Sequence, residues 1–176
     1  MLRQRKQRDE KPFAVMVGSF RFAERLCHID THEKELLLSP QRPIVLLRKR
    51  ACEDICIAAN IAPGNPCVGV MLPYTPLHYL LLHEVGDIPL VMTSGNRSDE
   101  PIAYRDSDAL DRLRGIADIF LTHDRPIHVR CDDSVTRVIA DNPSPIRRSR
   151  GYAPSPIKLP VSCSQTILAV GGQLKG

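Results

Sequence analysis

The stretch from residue 68 to residue 123 constrains the fold more than any other. "VGVML" (68–72) has the branched, apolar character of a buried strand. Thr75 and Pro76 then supply an N-cap and a proline for the first helical position. Leu77, Leu80, Leu81 and Val85 recur at helical spacing as an apolar stripe, and Gly86 stops the helix. "PLVM" (89–92) reads as a second strand, "DSDALDRLRG" (106–115) as a capped helix with its own glycine stop, and "DIFLTH" (118–123) as a third strand. Strand, helix, strand, helix, strand is the signature of an α/β sheet with some parallel pairing.

The flanking sequence extends that sheet. "MLRQRKQR" reads as the last turns of a helix, and "PFAVMV" (12–17) and "PIVLLRKR" (43–50) as strands. Between them "SFRFAERLCHI" and "THEKELLLS" read as two short helices, the second capped by Thr31. Residues 51–67 show no regular pattern. "DDSVTRVIA" and "SPIRRSRG" read as two strands around the turn "DNPS", and the Pro- and Ser-rich 152–165 as a linker. "TILAVGGQLKG" begins a further strand and turn.

The 43% hydrophobic content is sufficient for the core of one domain. No apolar run reaches the roughly eighteen residues of a membrane helix. The charged amino terminus lacks the apolar centre of a secretory signal, so a cytoplasmic location is expected. The six cysteines, Cys27, Cys52, Cys56, Cys67, Cys131 and Cys163, contain no Cys-x-x-Cys pair. Free buried thiols are therefore expected, and neither Cys52 and Cys56 nor His28 and His32, which could share a helix face, earn a metal assignment. The net charge of +4 is partly concentrated in residues 3–11, and the absence of Trp argues against base stacking as a main activity.

No nucleophile elbow, Walker loop, metalloprotease helix or dinucleotide glycine pattern is present, so covalent catalysis has no candidate. Polar residues gather instead in three places. Lys6 and Arg8, with Lys11 following, precede the strand at 12–17. Ser94, Gly95 and Asn96 stand at the carboxyl end of the strand at 89–92, where open α/β sheets bind ligands. The carboxyl region holds Arg125, Arg130, Asp132, Asp133, Ser134, Arg147, Arg148 and Arg150. Arginine forks suit phosphate oxygens, and paired aspartates suit ribose hydroxyls or Mg²⁺. A basic surface strip, a turn and salt-bridged strand ends explain the same residues one cluster at a time.

Six blocks in one order, "RKQRDEKPFAVMV", "SPQRPIVLL", "GVMLPYTPLHYLLL", "PLVMTSGNRSDEPIA", "IADIFLTHDRPIHVRCDDSVTRVI" and "IRRSRGYAP", resemble the YrdC-like domain of the HypF family of hydrogenase-maturation carbamoyltransferases. The resemblance covers residues 1–153, followed by the linker 154–165. Residues 166–176 are similar to the opening of that family's next, transferase (Kae1-like) domain. It implies a twisted mixed sheet with flanking helices, YrdC/RibB-like, here expected to lack its first strands, one wall of the pocket. Such a fragment could be active or inactive. It also implies ATP with Mg²⁺, and formation of carbamoyl-adenylate from carbamoyl phosphate or carbamate. The carbamoyl group then goes to an acceptor protein with a carboxyl-terminal cysteine (HypE-type), for [NiFe]-hydrogenase maturation. The family's Lys-x-Arg motif falls on Lys6 and Arg8, expected to be catalytic. Its Ser-x-Asn motif falls on Ser94 and Asn96, its nucleotide-contacting Ser on Ser134, and its closing Arg-containing motif on Arg148 or Arg150; Asp133, from the aspartate pair, is the further nucleotide-binding candidate. A threonylcarbamoyl-adenylate synthase of the same fold, serving tRNA modification, and a non-catalytic double-stranded RNA-binding module are the alternatives.

Overall fold

The computed structural model describes residues 1–51, 57–86, 88–97, 100–162 and 164–168. Cys52, Cys56, Cys163 and Ser98, and most of the strand and turn expected at 166–176, lie outside the described residues. The chain divides into two compact units. One comprises Glu10–Ser94 with Cys131–Ala153, the other Met1–Asp9, Gly95–Arg130 and Pro154–Gly176.

The first unit holds a seven-stranded mixed sheet. Its strands are β1 (Ala14–Met16), β2 (Cys27–His28), β3 (Ile44–Lys49), β4 (Cys67–Met71), β5 (Leu90–Met92), β6 (Val135–Ile139) and β7 (Asn142–Arg147). The order is β5-β1-β4-β3-β6-β7, with β2 added on β3. β1 runs parallel to β4 and β3 to β6, and the other pairings are antiparallel. Both faces are covered, which is why β1, β3 and β4 read as continuous apolar runs rather than alternating ones. On one face Val15, Val45, Leu47, Val68 and Val70 pack with Phe22 and Leu26 of α2 (Phe20–Leu26) and Leu36 and Leu37 of α3 (Thr31–Leu38). On the other, Met16, Ile44 and Met71 receive Leu82 from α4 (Pro76–Val85). Gly69 is required where the strands crowd, because a Cβ there would lie 2.7 Å from Ile44 Cγ2.

Several expectations need correction. The first of the two short helices ends at Leu26, and Cys27 and His28 pair with Lys49 and Arg48, so His28 and His32 share no helix face. Asp30, not Thr31, caps α3, in a capping box with Glu33. Thr75 caps α4 as expected, accepting from the His78 N–H at 3.2 Å, and Gly86 ends it with φ 71°. Its buried residue, however, is Leu82, while Leu77, Leu80, Leu81 and Val85 are 36–63% exposed. Leu82 and His78 are one turn apart and share a helix line, which the stripe does not.

The second unit contains α1 (Leu2–Arg5) and α5 (Asp106–Arg112), the latter preceded by Arg105 without a side-chain cap. Residues 118–123 form no strand: Ile119 is 86% exposed, and among the described residues no neighbouring ladder completes the pairing on which strand formation depends. The β6–β7 hairpin turns at Ala140 and Asp141, with φ of 48° and 62°, rather than over "DNPS". Pro143 and Pro145 sit in β7, at the end of the strand order, where the loss of a donor is tolerated. Cys27, Cys67 and Cys131 are free, but only Cys27 is buried and Cys131 is exposed. Among the described residues no helix is long and apolar enough to cross a membrane, and no cluster of three or more His, Cys, Asp or Glu could hold a metal.

Candidate functional site

α1 has only four residues, so its ending decides where the residues after it point. The Gln7 N–H bonds the Gln4 carbonyl and the Arg8 N–H the Arg3 carbonyl, both at 3.0 Å, which makes a Schellman turn. Gln7 occupies its left-handed position with φ 51°. The Arg3 guanidinium braces the turn by donating to the carbonyls of Arg8 at 3.1 Å and Asp9 at 2.8 Å. Arg5 fastens the helix to 116–118 through the Ile116 carbonyl at 3.0 Å and Asp118 at 2.7 Å.

Lys6 and Arg8 flank this turn. Lys6 is only 2% exposed. Burial, and to a lesser extent the neighbouring Arg8 charge, together push its ammonium pKa down to about 8. Its Nζ donates to Asn96 Oδ1 at 3.5 Å. The other end of that amide donates to the Glu100 carbonyl at 2.6 Å, closing the loop that starts at Gly95. Arg112 of α5 holds the same loop by donating to the Pro101 carbonyl at 2.6 Å and Glu100 at 3.1 Å, and it also pairs with Asp108 at 3.0 Å. Lys6 and Asn96, expected to act together, are therefore in contact, with Arg8 in the same turn. A desolvated ammonium beside a second fixed cation favours an anion, and such perturbed groups concentrate at functional sites.

The sheet unit holds the remaining candidates. Ser94 is half-buried just after β5. Ser134 is fully buried, and its hydroxyl donates to the Arg150 carbonyl at 2.8 Å while accepting from the Ser149 N–H at 2.7 Å. Asp133 Oδ1 accepts from Arg150 Nε at 2.7 Å and from the Tyr74 hydroxyl at 3.1 Å. Arg150 also donates to the carbonyls of Gln41 at 3.2 Å and Arg42 at 2.8 Å, and stacks on the Tyr74 ring at 3.4 Å. Arg148 donates to the Tyr152 carbonyl at 2.9 Å. Arg147 donates to the Asp133 carbonyl at 2.7 Å and pairs with Asp132 at 3.7 Å. Asp133, Ser134 and Arg150 thus hold one another. Sequence reasoning missed Tyr74, although it stands just past the end of β4 as Ser94 stands just past β5, the position that singled out Ser94.

The Sua5–YciO–YrdC family, described as "Telomere recombination", matches residues 1–149. The chain belongs to that family, and its mixed sheet with flanking helices is the family's fold. It is similar in particular to the HypF carbamoyltransferases. Carbamoyltransferase HypF of Synechocystis sp. is 50% identical over 174 residues, covering 99% of this chain and 22% of the relative. The probable carbamoyltransferase HypF of Methanocaldococcus jannaschii is 42% identical over 173 residues, 98% of this chain and 22% of the relative. The crystal structure of a full-length HypF in the phosphate- and nucleotide-bound form superimposes with a TM-score of 0.85 at 50% identity, over 90% of this chain and 25% of that one. Sua5 of P. abyssi, complexed with L-threonine, shares the fold at a TM-score of 0.70 and 19% identity, over 84% of this chain and 43% of that one. The chain spans less than a quarter of the curated relatives it matches.

Proposed function

We propose that this chain is the adenylate-forming portion of a HypF-type carbamoyltransferase. It combines ATP with carbamate, taken as such or derived from carbamoyl phosphate, to give carbamoyl-adenylate and pyrophosphate. The observation that carries this reading is the contact between buried Lys6 and Asn96, with Arg8 held in the same turn. A carbamate oxygen attacks the α-phosphorus, an O–P bond forms, the bond to the β-phosphate bridge breaks, and pyrophosphate leaves. Such a transfer needs positioning and charge neutralisation and no protein nucleophile. Lys6 and Arg8 stabilise the charge that builds on the phosphoryl oxygens. Asn96 orients the Lys6 ammonium and, with Ser94, binds the small polar groups of the substrate. Arg148 contacts the nucleotide, and Asp133, Ser134 and Arg150 belong to the same nucleotide-binding segment.

Mg²⁺ fits this chain as part of the ATP substrate complex. Asp133 is tied to Arg150 and Tyr74 and Asp132 to Arg147, so the phosphates supply the metal's main ligands. Residues 1–153 are the adenylating domain, 154–165 its linker and 166–176 the start of a transferase domain. The carbamoyl group passes on to an acceptor protein with a carboxyl-terminal cysteine. Exchange of radiolabelled pyrophosphate into ATP tests the reaction. Exchange that depends on carbamoyl phosphate and disappears in Lys6→Ala is expected. Exchange driven by threonine and bicarbonate instead would overturn the carbamoyl assignment, and its absence with both would overturn adenylation.

A further inference from the structure

We propose that Tyr74 is a positioning residue: through the Asp133–Arg150 pair it sets where the segment 147–151 stands, and so how Arg148 meets the nucleotide. The inference rests on the nucleotide-binding reading above and adds a residue and a mechanism to it.

The geometry divides the residues of this region between two tasks. Arg150 directs Nε to Asp133, Nη1 to the Gln41 carbonyl and Nη2 to the Arg42 carbonyl, and lays its face on Tyr74. A guanidinium used on all three nitrogens and on one face is a strut. The Ser134 hydroxyl is likewise occupied, fixing the backbone at Ser149 and Arg150. Next in the chain Gly151 has φ 84°, and a Cβ there would lie 2.5 Å from the Gln41 carbonyl oxygen. The segment therefore lies against residues 41–42 with no room to slide, and Arg148 is carried by it.

Tyr74 controls this strut twice. Its hydroxyl bonds the same Asp133 oxygen that receives Arg150, so it fixes the carboxylate's orientation. Its ring supports the guanidinium face, a cation–π contact strengthened by partial burial. Tyr74 is itself held in the short connection between β4 and α4, where the His78 ring packs edge-on against it at 4.6 Å and 90°.

Tyr74→Phe removes the hydroxyl and keeps the ring, Asp133→Asn weakens the strut's anchor, and Arg150→Lys keeps charge without the fork. The experiment measures three quantities in the full chain: amide hydrogen exchange at 147–151 without nucleotide, ATP affinity by calorimetry, and the melting temperature. Tyr74→Phe and Asp133→Asn are expected to speed exchange at 147–151 and weaken ATP by about five- to tenfold, the loss of roughly one hydrogen bond. Arg150→Lys is expected to bind ATP no better than Arg150→Ala. Unchanged exchange in Tyr74→Phe overturns the proposal. So does ATP affinity that Lys6→Ala abolishes but Tyr74→Phe leaves intact, or that Arg150→Lys restores, which would make Arg150 a charge contact. If the unaltered chain does not bind ATP, the functional reading fails first, and the inference fails with it.

Discussion

Lys6 Nζ lies 3.5 Å from Asn96 Oδ1, across ninety positions of sequence. The contact brings the cations that follow α1 to the polar loop that follows β5. It also leaves an ammonium almost without solvent, a costly arrangement for stability alone. Lys6 is therefore read as a residue held for binding, and its removal should separate stability from function.

Lys6→Met is expected to raise stability at pH 7 by about 1–2 kcal/mol, because a methionine of similar length ends the desolvation of a charge. The same substitution should abolish ATP binding. Chemical denaturation and ATP calorimetry on the one variant check both halves. A variant that is destabilised and still binds ATP contradicts the assignment.

The pH dependence follows from the same group. Folding lowers the Lys6 pKa from 10.5 to about 8. Between those values the unfolded chain holds a proton that the folded chain has lost, so this group makes stability rise with pH across that window. Its burial cost is fully present below about pH 8. An anionic ligand needs the ammonium form, so ATP affinity should be level below pH 8 and fall above it, with proton uptake on binding. Calorimetry in buffers of different ionisation enthalpy measures that uptake, and a flat profile to pH 9.5 contradicts it.

Much of the sheet was legible in the sequence because capping and apolar runs are local signals. Thr75, Pro76 and Gly86 bounded α4, and the runs at 12–17, 43–50 and 68–72 became β1, β3 and β4. Signals that depend on partners were not legible. "DIFLTH" has strand character but no ladder, and the α4 stripe was periodic but misplaced around the helix. At the site, the resemblance singled out Lys6 and Asn96 as motif residues, but only coordinates bring them together. Charge composition left open whether Asp133 and Arg150 meet a ligand or bridge strand ends, and the structure pairs them with each other. Sequence displays charges and hides what neutralises them.

The Schellman turn between Lys6 and Arg8 can be made less strained. Gln7 holds φ 51°, which glycine adopts without the Cβ penalty. Gln7→Gly is expected to stabilise the chain by about 1 kcal/mol. ATP affinity should stay within about twofold, since the turn is kept. A lower melting temperature would contradict the turn assigned here.

In the sheet, Thr136 of β6 is 1% exposed, and among the described residues its hydroxyl has no hydrogen-bond partner. Thr136→Val replaces that hydroxyl with a methyl of the same shape. The expected gain is about 1 kcal/mol, read as a higher denaturation midpoint at unchanged slope. A loss of that size would mean the hydroxyl is satisfied in solution.

The most direct test of the central claim is ATP titration of the unaltered chain beside Lys6→Ala and Asn96→Ala at pH 7.5. Saturable binding by the unaltered chain is expected, with a loss of at least about a hundredfold in Lys6→Ala and a smaller loss in Asn96→Ala, all three chains being folded. Equal affinity in the three would contradict it, because the paired Lys6 and Asn96 would then have no part in holding the nucleotide.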